Sequence, residues 1–170
     1  MTILYLHGLE GKLSEEKRAI LENFGTVTAP DMDYYQDPNV FEMLLKLHEA
    51  LKFDVVIGSS MGGFMSYQFA NTLSCPALLF NPALKKRPVQ QNIPELNQSN
   101  ASYLLHFVLG GQDEVVPAND NLKWISENRM PNTNFKITLL NEMEHRIPQN
   151  IFEIEVKEFF RQLDIQKISN

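Results

Sequence analysis

Short, continuously apolar runs alternate along this chain with segments whose apolar residues recur at helical spacing. The runs are 3–6 (ILYL), 25–29 (GTVTA), 54–57 (DVVI), 77–80 (ALLF), 103–109 (YLLHFVL) and 135–140 (FKITLL). Most are apolar throughout and do not alternate, as strands are when both faces of a parallel sheet are covered. Between them lie helix signals. Ser14 is an N-cap followed by Glu15 and Glu16, with Gly25 at the exit. Asp37-Pro38 caps and opens a helix carrying Phe41, Leu44, Leu45, His48 and Leu51. Further helices are expected over about 61–71, from about Pro117 with Leu122 and Ile125, and over about 149–163 with Ile151, Ile154, Phe159 and Leu163 inward. Strand–helix repetition of this kind predicts an α/β domain wound around a mostly parallel sheet. Residues 85–101 are polar, hold two prolines and show no period, and read as either a surface loop or a short lid.

The polar residues that follow each run carry the chemistry, because ligands in such sheets bind beyond the carboxyl ends of the strands. After the first run come His7-Gly8-Leu9, after the second Asp31, Asp33 and Tyr34-Tyr35, and after the third Gly58-Ser59-Ser60-Met61-Gly62. Asn81 follows the fourth run, Gly110-Gly111-Gln112-Asp113 the fifth and Asn141 to His145 the sixth. Gly58-x-Ser60-x-Gly62 is the G-x-S-x-G nucleophile elbow, in which a serine stands on a strained strand-to-helix turn and the glycines admit close backbone. Ser59 lacks that frame and is expected to line the pocket or face away. A serine hydroxyl needs a base, and the base an orienting carboxylate, in the chain order Ser, Asp or Glu, His. His145 follows the last strand and takes the part of base. His106 lies mid-strand and reads as a core histidine. Asp113 is the expected acid, its competing reading being a cap for the helix near Pro117. Glu114, Glu142 and Glu144 read as solvated loop charges. The oxyanion donors are expected to be the N–H groups of Met61 and Leu9, with His7 and Gly8 bracing the first loop. Tyr34, Tyr35, Ser59, Phe64 and Asn81 are candidates for the pocket lining.

Composition narrows the alternatives. The chain has 170 residues, enough for one domain over 1–170 that buries roughly 70% of its unfolded surface. A net charge of −6, with no basic block longer than Lys85-Lys86-Arg87, argues against nucleic acid as a partner. One cysteine, Cys75, excludes an intramolecular disulfide and reads as a buried spectator. No run is long enough to span a membrane and MTILYLHG lacks a basic leader, so a cytoplasmic protein without a membrane span is expected.

The segments LHGLEG (6–11), GSSMGGF (58–64), FNPALK (80–85) and GQDEVV (111–116), followed by a late histidine, resemble small single-domain α/β-hydrolase esterases of the bacterial YqiA/YcfP type. The resemblance implies a three-layer α/β-hydrolase fold with six or seven strands and little or no cap, and no cofactor or metal. It also implies activity on small-molecule acyl esters or thioesters through Ser60, Asp113 and His145. One departure stands out. The family's histidine usually follows small, glycine-rich residues, whereas here it sits in Glu142-Met143-Glu144-His145-Arg146. Two further readings remain open: an acyl-CoA thioesterase or acyltransferase on the same triad, with Lys85-Lys86-Arg87 drawing an anionic group, and a non-catalytic binding module.

Overall fold

The computed structural model describes residues 1–95, 102–128 and 133–168. Each apolar run forms a strand: β1 (Thr2–Leu6), β2 (Thr26–Thr28), β3 (Val55–Ser59), β4 (Ala77–Phe80), β5 (Tyr103–Gly110) and β6 (Thr133–Leu140). All neighbouring strands pair in parallel, in the order β2-β1-β3-β4-β5-β6. Helices α1 (Glu15–Glu22), α2 (Val40–Leu51), α3 (Met61–Leu73), α4 (Ala118–Glu127) and α5 (Gln149–Ile168) provide the connections and cover.

The continuous apolar runs are explained by two cores. Successive side chains of a strand point to opposite faces. Leu4, Leu6, Val56, Leu79, Leu105 and Phe107 therefore face one core with residues of α2, α3 and α4. Ile3, Tyr5, Val55, Ile57, Leu78 and Leu104 face the other, with α1 and α5. The order of the sheet reverses between β1 and β3, because the chain first adds β2 on one flank of β1 and then builds outward from the other. Such a switch point opens a crevice at the carboxyl ends of the two strands. Those ends are His7-Gly8 and Ser59-Ser60.

Several local expectations shift. α2 begins at Val40, not at Asp37-Pro38, with Asn39 at the N-cap. The preceding residues are used in turns of their own: Asp33 Oδ1 accepts from the N–H groups of Tyr35 and Gln36, and Asp37 Oδ1 from that of Asn39. Gly25 adopts no left-handed conformation; a side chain there would collide with the carbonyl of Met1, so the glycine lets β2 start beside β1. On α5 the buried seam is Phe152, Val156, Phe159 and Leu163, and Ile154 is 56% exposed. The phase is set by Phe152, whose ring stacks on Phe80 and meets Tyr5 edge-on. Ser14 caps α1 as expected, accepting from Lys17 N, and Cys75 is buried with its thiol pushed up to about 12 by desolvation. Among the described residues no helix is long and apolar enough to cross a membrane.

His106 is a fully buried core residue of β5. Its Nε2 lies 2.9 Å from Thr138 Oγ1. It also lies 3.3 Å from Glu155 Oε2, within ion-pair distance but not aligned for a hydrogen bond. Burial, with Lys136 nearby, pushes its pKa down to about 4. The sign follows directly. Above pH 6.5 the ring is neutral folded or unfolded; below it, only the unfolded chain takes the proton. His106 therefore costs stability as pH falls from about 6.5 to 4, by up to about 3 kcal/mol. Urea unfolding across this range is expected to show a flatter pH dependence for His106→Leu than for the parent chain, and parallel profiles would refute the assignment.

Candidate active site

Ser60 joins β3 to α3 with φ 55 and ψ −119, a left-handed φ that a serine adopts only when its surroundings impose it. The turn is held by three backbone bonds. Ser60 N donates to the carbonyl of Phe80, and Ser60 O accepts from Phe64 N and Ala83 N. The flanking glycines are steric necessities. A Cβ at Gly58 would strike Ser66 Oγ and the carbonyl of Gly62, and one at Gly62 would strike the carbonyls of Leu6 and His7. The frame that distinguishes Ser60 from Ser59 in the sequence is thus a packing requirement.

Two loops bring an imidazole and a carboxylate to this serine. His145 Nε2 lies 3.1 Å from Ser60 Oγ, and His145 Nδ1 lies 2.7 Å from Asp113 Oδ2. An ionised carboxylate only accepts, so Nδ1 carries the proton and Nε2 presents its lone pair to the serine hydroxyl. Asp113 is 5% exposed. Its other oxygen, Oδ1, accepts from the N–H groups of Val115 (2.9 Å) and Val116 (2.7 Å). One oxygen of Asp113 thus faces the imidazole and the other caps the 113–116 turn; it does not cap α4, whose N-cap is Pro117.

The bulky neighbours of His145 fit because the glycines lie on the facing strand. Met143 turns into the core beside α5. A Cβ at Gly110 would collide with the Met143 carbonyl and stand 2.9 Å from that of Glu144, and one at Gly111 would stand 2.8 Å from the Asn141 carbonyl. Gly110 and Gly111 thus give the histidine loop room to approach the end of β5 despite its bulky residues. Glu144 is solvent-exposed, as are Glu142 and Glu114.

Asn81 corrects an expectation. It does not line a pocket; it is 1% exposed and sits at φ 42 just past β4. Its Oδ1 accepts from Gly110 N (2.7 Å), and its Nδ2 donates to the carbonyls of Glu144 (3.0 Å) and His145 (3.2 Å). The side-chain amide ties the histidine loop to the sheet, and its orientation is forced because one neighbour offers a hydrogen and the other two offer only oxygens. A neutral residue at a sheet edge otherwise rich in carboxylates was the available signal.

The loop after β1 is braced as the sequence suggested. His7 Nε2 accepts from Met32 N (3.0 Å), so its Nδ1 carries the hydrogen and donates to the carbonyl of Gly8 (2.6 Å). Tyr34 OH donates to the carbonyl of His7 (3.0 Å) and is otherwise buried, which raises its pKa. Tyr34 therefore supports the loop from beneath and does not line the cleft. Phe64 is likewise buried, under the Arg87 guanidinium at 3.8 Å. Gly8 lies against the serine, its absent Cβ only 3.3 Å from Ser60 Cβ.

A cleft of about 550 Å³ opens over Ser60 and His145. Of the expected lining residues, Tyr35 and Ser59 are there, with Gly8 and Leu9 of the loop after β1 beside them. Tyr5, Lys17, Val115 and Arg146 join them without having been singled out in the sequence. The basic trio lies elsewhere: Lys85 pairs with Asp120 at 2.7 Å, and Arg87 donates to the carbonyls of Ala83 and Leu84. Residues 85–95 run across the turn before α2, where Gln91 donates to the carbonyls of Tyr34 and Asp37. The rest of the 85–101 segment, 96–101, lies outside the described residues.

Parallel sheet, elbow and cleft together define an α/β-hydrolase fold. The chain superposes on a member of the alpha/beta hydrolase superfamily from Xanthomonas campestris pv. campestris at 19% identity and TM-score 0.68, covering 96% of this chain and 98% of that one. Est1E from Butyrivibrio proteoclasticus matches at 18% and 0.66, over 99% and 88%. Alpha/beta hydrolase domain-containing protein 10 from mouse matches at 12% and 0.70, over 95% and 90%. At these identities the likeness shows the fold. The family is shown separately: residues 2–117 match the uncharacterised protein family UPF0227, and the chain belongs to it. This agrees with the resemblance to YqiA/YcfP-type proteins. No curated protein matches the chain.

Proposed function

We propose that the chain is a serine hydrolase of carboxylesterase type that cleaves acyl esters of small molecules. The observation that carries this reading is the relay on a strained elbow: Ser60 Oγ to His145 Nε2 at 3.1 Å and His145 Nδ1 to Asp113 Oδ2 at 2.7 Å. Solved neighbours with the same fold include a carboxylesterase from Bacillus cereus, which supports the hydrolase class.

In this reading Ser60 Oγ bonds to the ester carbonyl carbon while its proton passes to Nε2. Asp113 holds the tautomer and steadies the imidazolium. The oxyanion is met by two N–H groups. Met61 is the first residue of α3, where backbone donors have no partner within the helix. Leu9 shares a peptide plane with the Gly8 carbonyl, which the His7 ring and Gly11 N pull back. In a trans peptide the N–H points opposite the C=O, so the Leu9 donor is turned the other way. Collapse breaks the bond to the alcohol oxygen, which leaves with the proton from Nε2. Water then adds to the acyl carbon, giving its proton to Nε2, and release of the acid returns that proton to Ser60.

The test is turnover of 4-nitrophenyl esters of graded chain length, with fluorophosphonate labelling alongside. The parent chain is expected to turn over short esters and to be labelled. Ser60→Ala is expected to lose roughly 10⁴-fold or more in kcat and all labelling. Equal turnover by Ser60→Ala would overturn the nucleophile assignment.

A further inference from the structure

Two cations line the cleft beside the loop that carries His145. Lys17, on α1, donates from Nζ to the carbonyl of Ile147 at 2.8 Å and lies 5.2 Å from the Phe152 ring centroid. Arg146 is the residue between His145 and Ile147 and is exposed. Lys17, Arg146 and Ile147 all line the cleft that contains Ser60. Among the described residues neither cation has a carboxylate within ion-pair distance. The same cleft is also lined by Glu10, which is exposed, and by Lys12, which is paired to Asp31 at 3.2 Å.

This wall is unusual for the chain as a whole. With a net charge of −6 the surface repels anions at long range, and carboxylates are abundant enough to pair most cations. Lys17 is partly desolvated, which lowers its pKa, and it has a carbonyl and an aromatic face as partners where a carboxylate would serve better. An ammonium offers three donors, and the bond to Ile147 uses one of them.

The chemistry decides which part of a substrate meets this wall. His145 must hand its proton to the departing alcohol oxygen, so the alcohol part lies on the His145 side of the carbonyl. Arg146 follows His145 in the chain, and Lys17 is anchored one residue further on. We propose that the cleft takes esters whose alcohol part carries an anionic group, a carboxylate or phosphate, which Lys17 and Arg146 bind. This rests on the hydrolase reading above and names its substrate class.

Three chromogenic butyrate or succinate esters separate the possibilities. 4-Nitrophenyl butyrate is neutral, 3-carboxy-4-nitrophenyl butyrate is anionic on the leaving group, and mono-4-nitrophenyl succinate is anionic on the acyl group. At low salt the leaving-group anion is expected to be favoured over the neutral ester in kcat/KM by roughly five- to tenfold, a preference that shrinks toward unity in about 1 M salt, where the Debye length is about 3 Å. The preference ratio is expected to fall at least threefold in Arg146→Gln and again in Lys17→Met. Using the ratio removes any effect on chemistry common to both esters, including disturbance of the histidine loop in Lys17→Met. A ratio at or below one in the parent chain, a ratio indifferent to both substitutions, or a preference for the succinate would each overturn the proposal while leaving the hydrolase reading intact. Absence of turnover with all three esters, together with an unlabelled Ser60, would bring down both.

Discussion

Asp113→Asn is expected to lower kcat for a good ester by about 10⁴-fold while leaving the fold and the melting temperature close to those of the parent chain. The size of the effect follows from the two oxygens of this carboxylate. Oδ1 accepts from the N–H groups of Val115 and Val116, both within 2.9 Å. In the amide variant the oxygen must keep that place, because turning the NH₂ toward two N–H groups would set donors against donors. The NH₂ is therefore forced toward His145 Nδ1, to which it donates. The ring proton then moves to Nε2, facing Ser60 Oγ, and the lone pair that should accept the serine proton is gone. The substitution leaves Ser60 and His145 at their observed separation and exchanges only the tautomer. The check is steady-state turnover beside a thermal melt. Undiminished activity would mean that His145 is not the base, and a collapsed melt would mean that the turn at 113–116 depends on the charge.

Asn81→Asp is expected to reduce kcat roughly 10²-fold at pH 8, with a much smaller change in KM, because it releases the loop that aims His145. An introduced carboxylate would keep an acceptor for Gly110 N but would face the carbonyls of Glu144 and His145 with lone pairs at 3.0 and 3.2 Å. At a site only 1% exposed, burial and those two oxygens hold the introduced carboxyl's pKa above the usual carboxylate range. The sign of the pH effect is fixed by this. The folded state binds the extra proton more tightly than the unfolded chain, so the destabilisation is absent below about pH 4 and grows as pH rises to the raised value. Above it the cost reaches about 3 kcal/mol or more, that of an uncompensated buried charge. When protonated, the carboxyl can again donate to a carbonyl. The ratio of variant to parent kcat is therefore expected to rise as pH falls from 8 to 5.5, well below both melting temperatures. A ratio independent of pH would show that Asn81 does not position the histidine loop.

These two residues mark different degrees of legibility. That Asp113 would lie beside His145 was legible in its place after the penultimate strand, in the order that the motif demands. The bonds of its other oxygen to the 113–116 turn were foreshadowed only by the reading of Asp113 as a cap for the helix near Pro117. The place of Asn81 on the sheet edge points to the pocket, whereas its side chain turns to the histidine loop. Nothing local reveals that its partners are 63 and 64 residues away. Tyr34 and Phe64 were misplaced for the same reason: a side chain at the edge of a cleft can turn inward, and long-range packing decides which way. Lys17 carried no signal, since a lysine on an amphipathic helix ordinarily faces water.

What the sequence determined by itself was the existence and order of the elements, governed by local periodicity, and the turn that steric necessity demands. Most strands follow from unbroken apolar runs, the parallel sheet from the helices between them, and the strained turn at Ser60 from glycines that no other residue could replace at 58 and 62. Tertiary structure alone decided how the loops after separate strands meet. The Asn81 clamp, the room that Gly110 gives to Met143 and Glu144, and the cationic wall beside His145 join residues from different connections of the sheet. Such contacts depend on register and on the depth of each loop, and neither leaves a periodic mark in the chain.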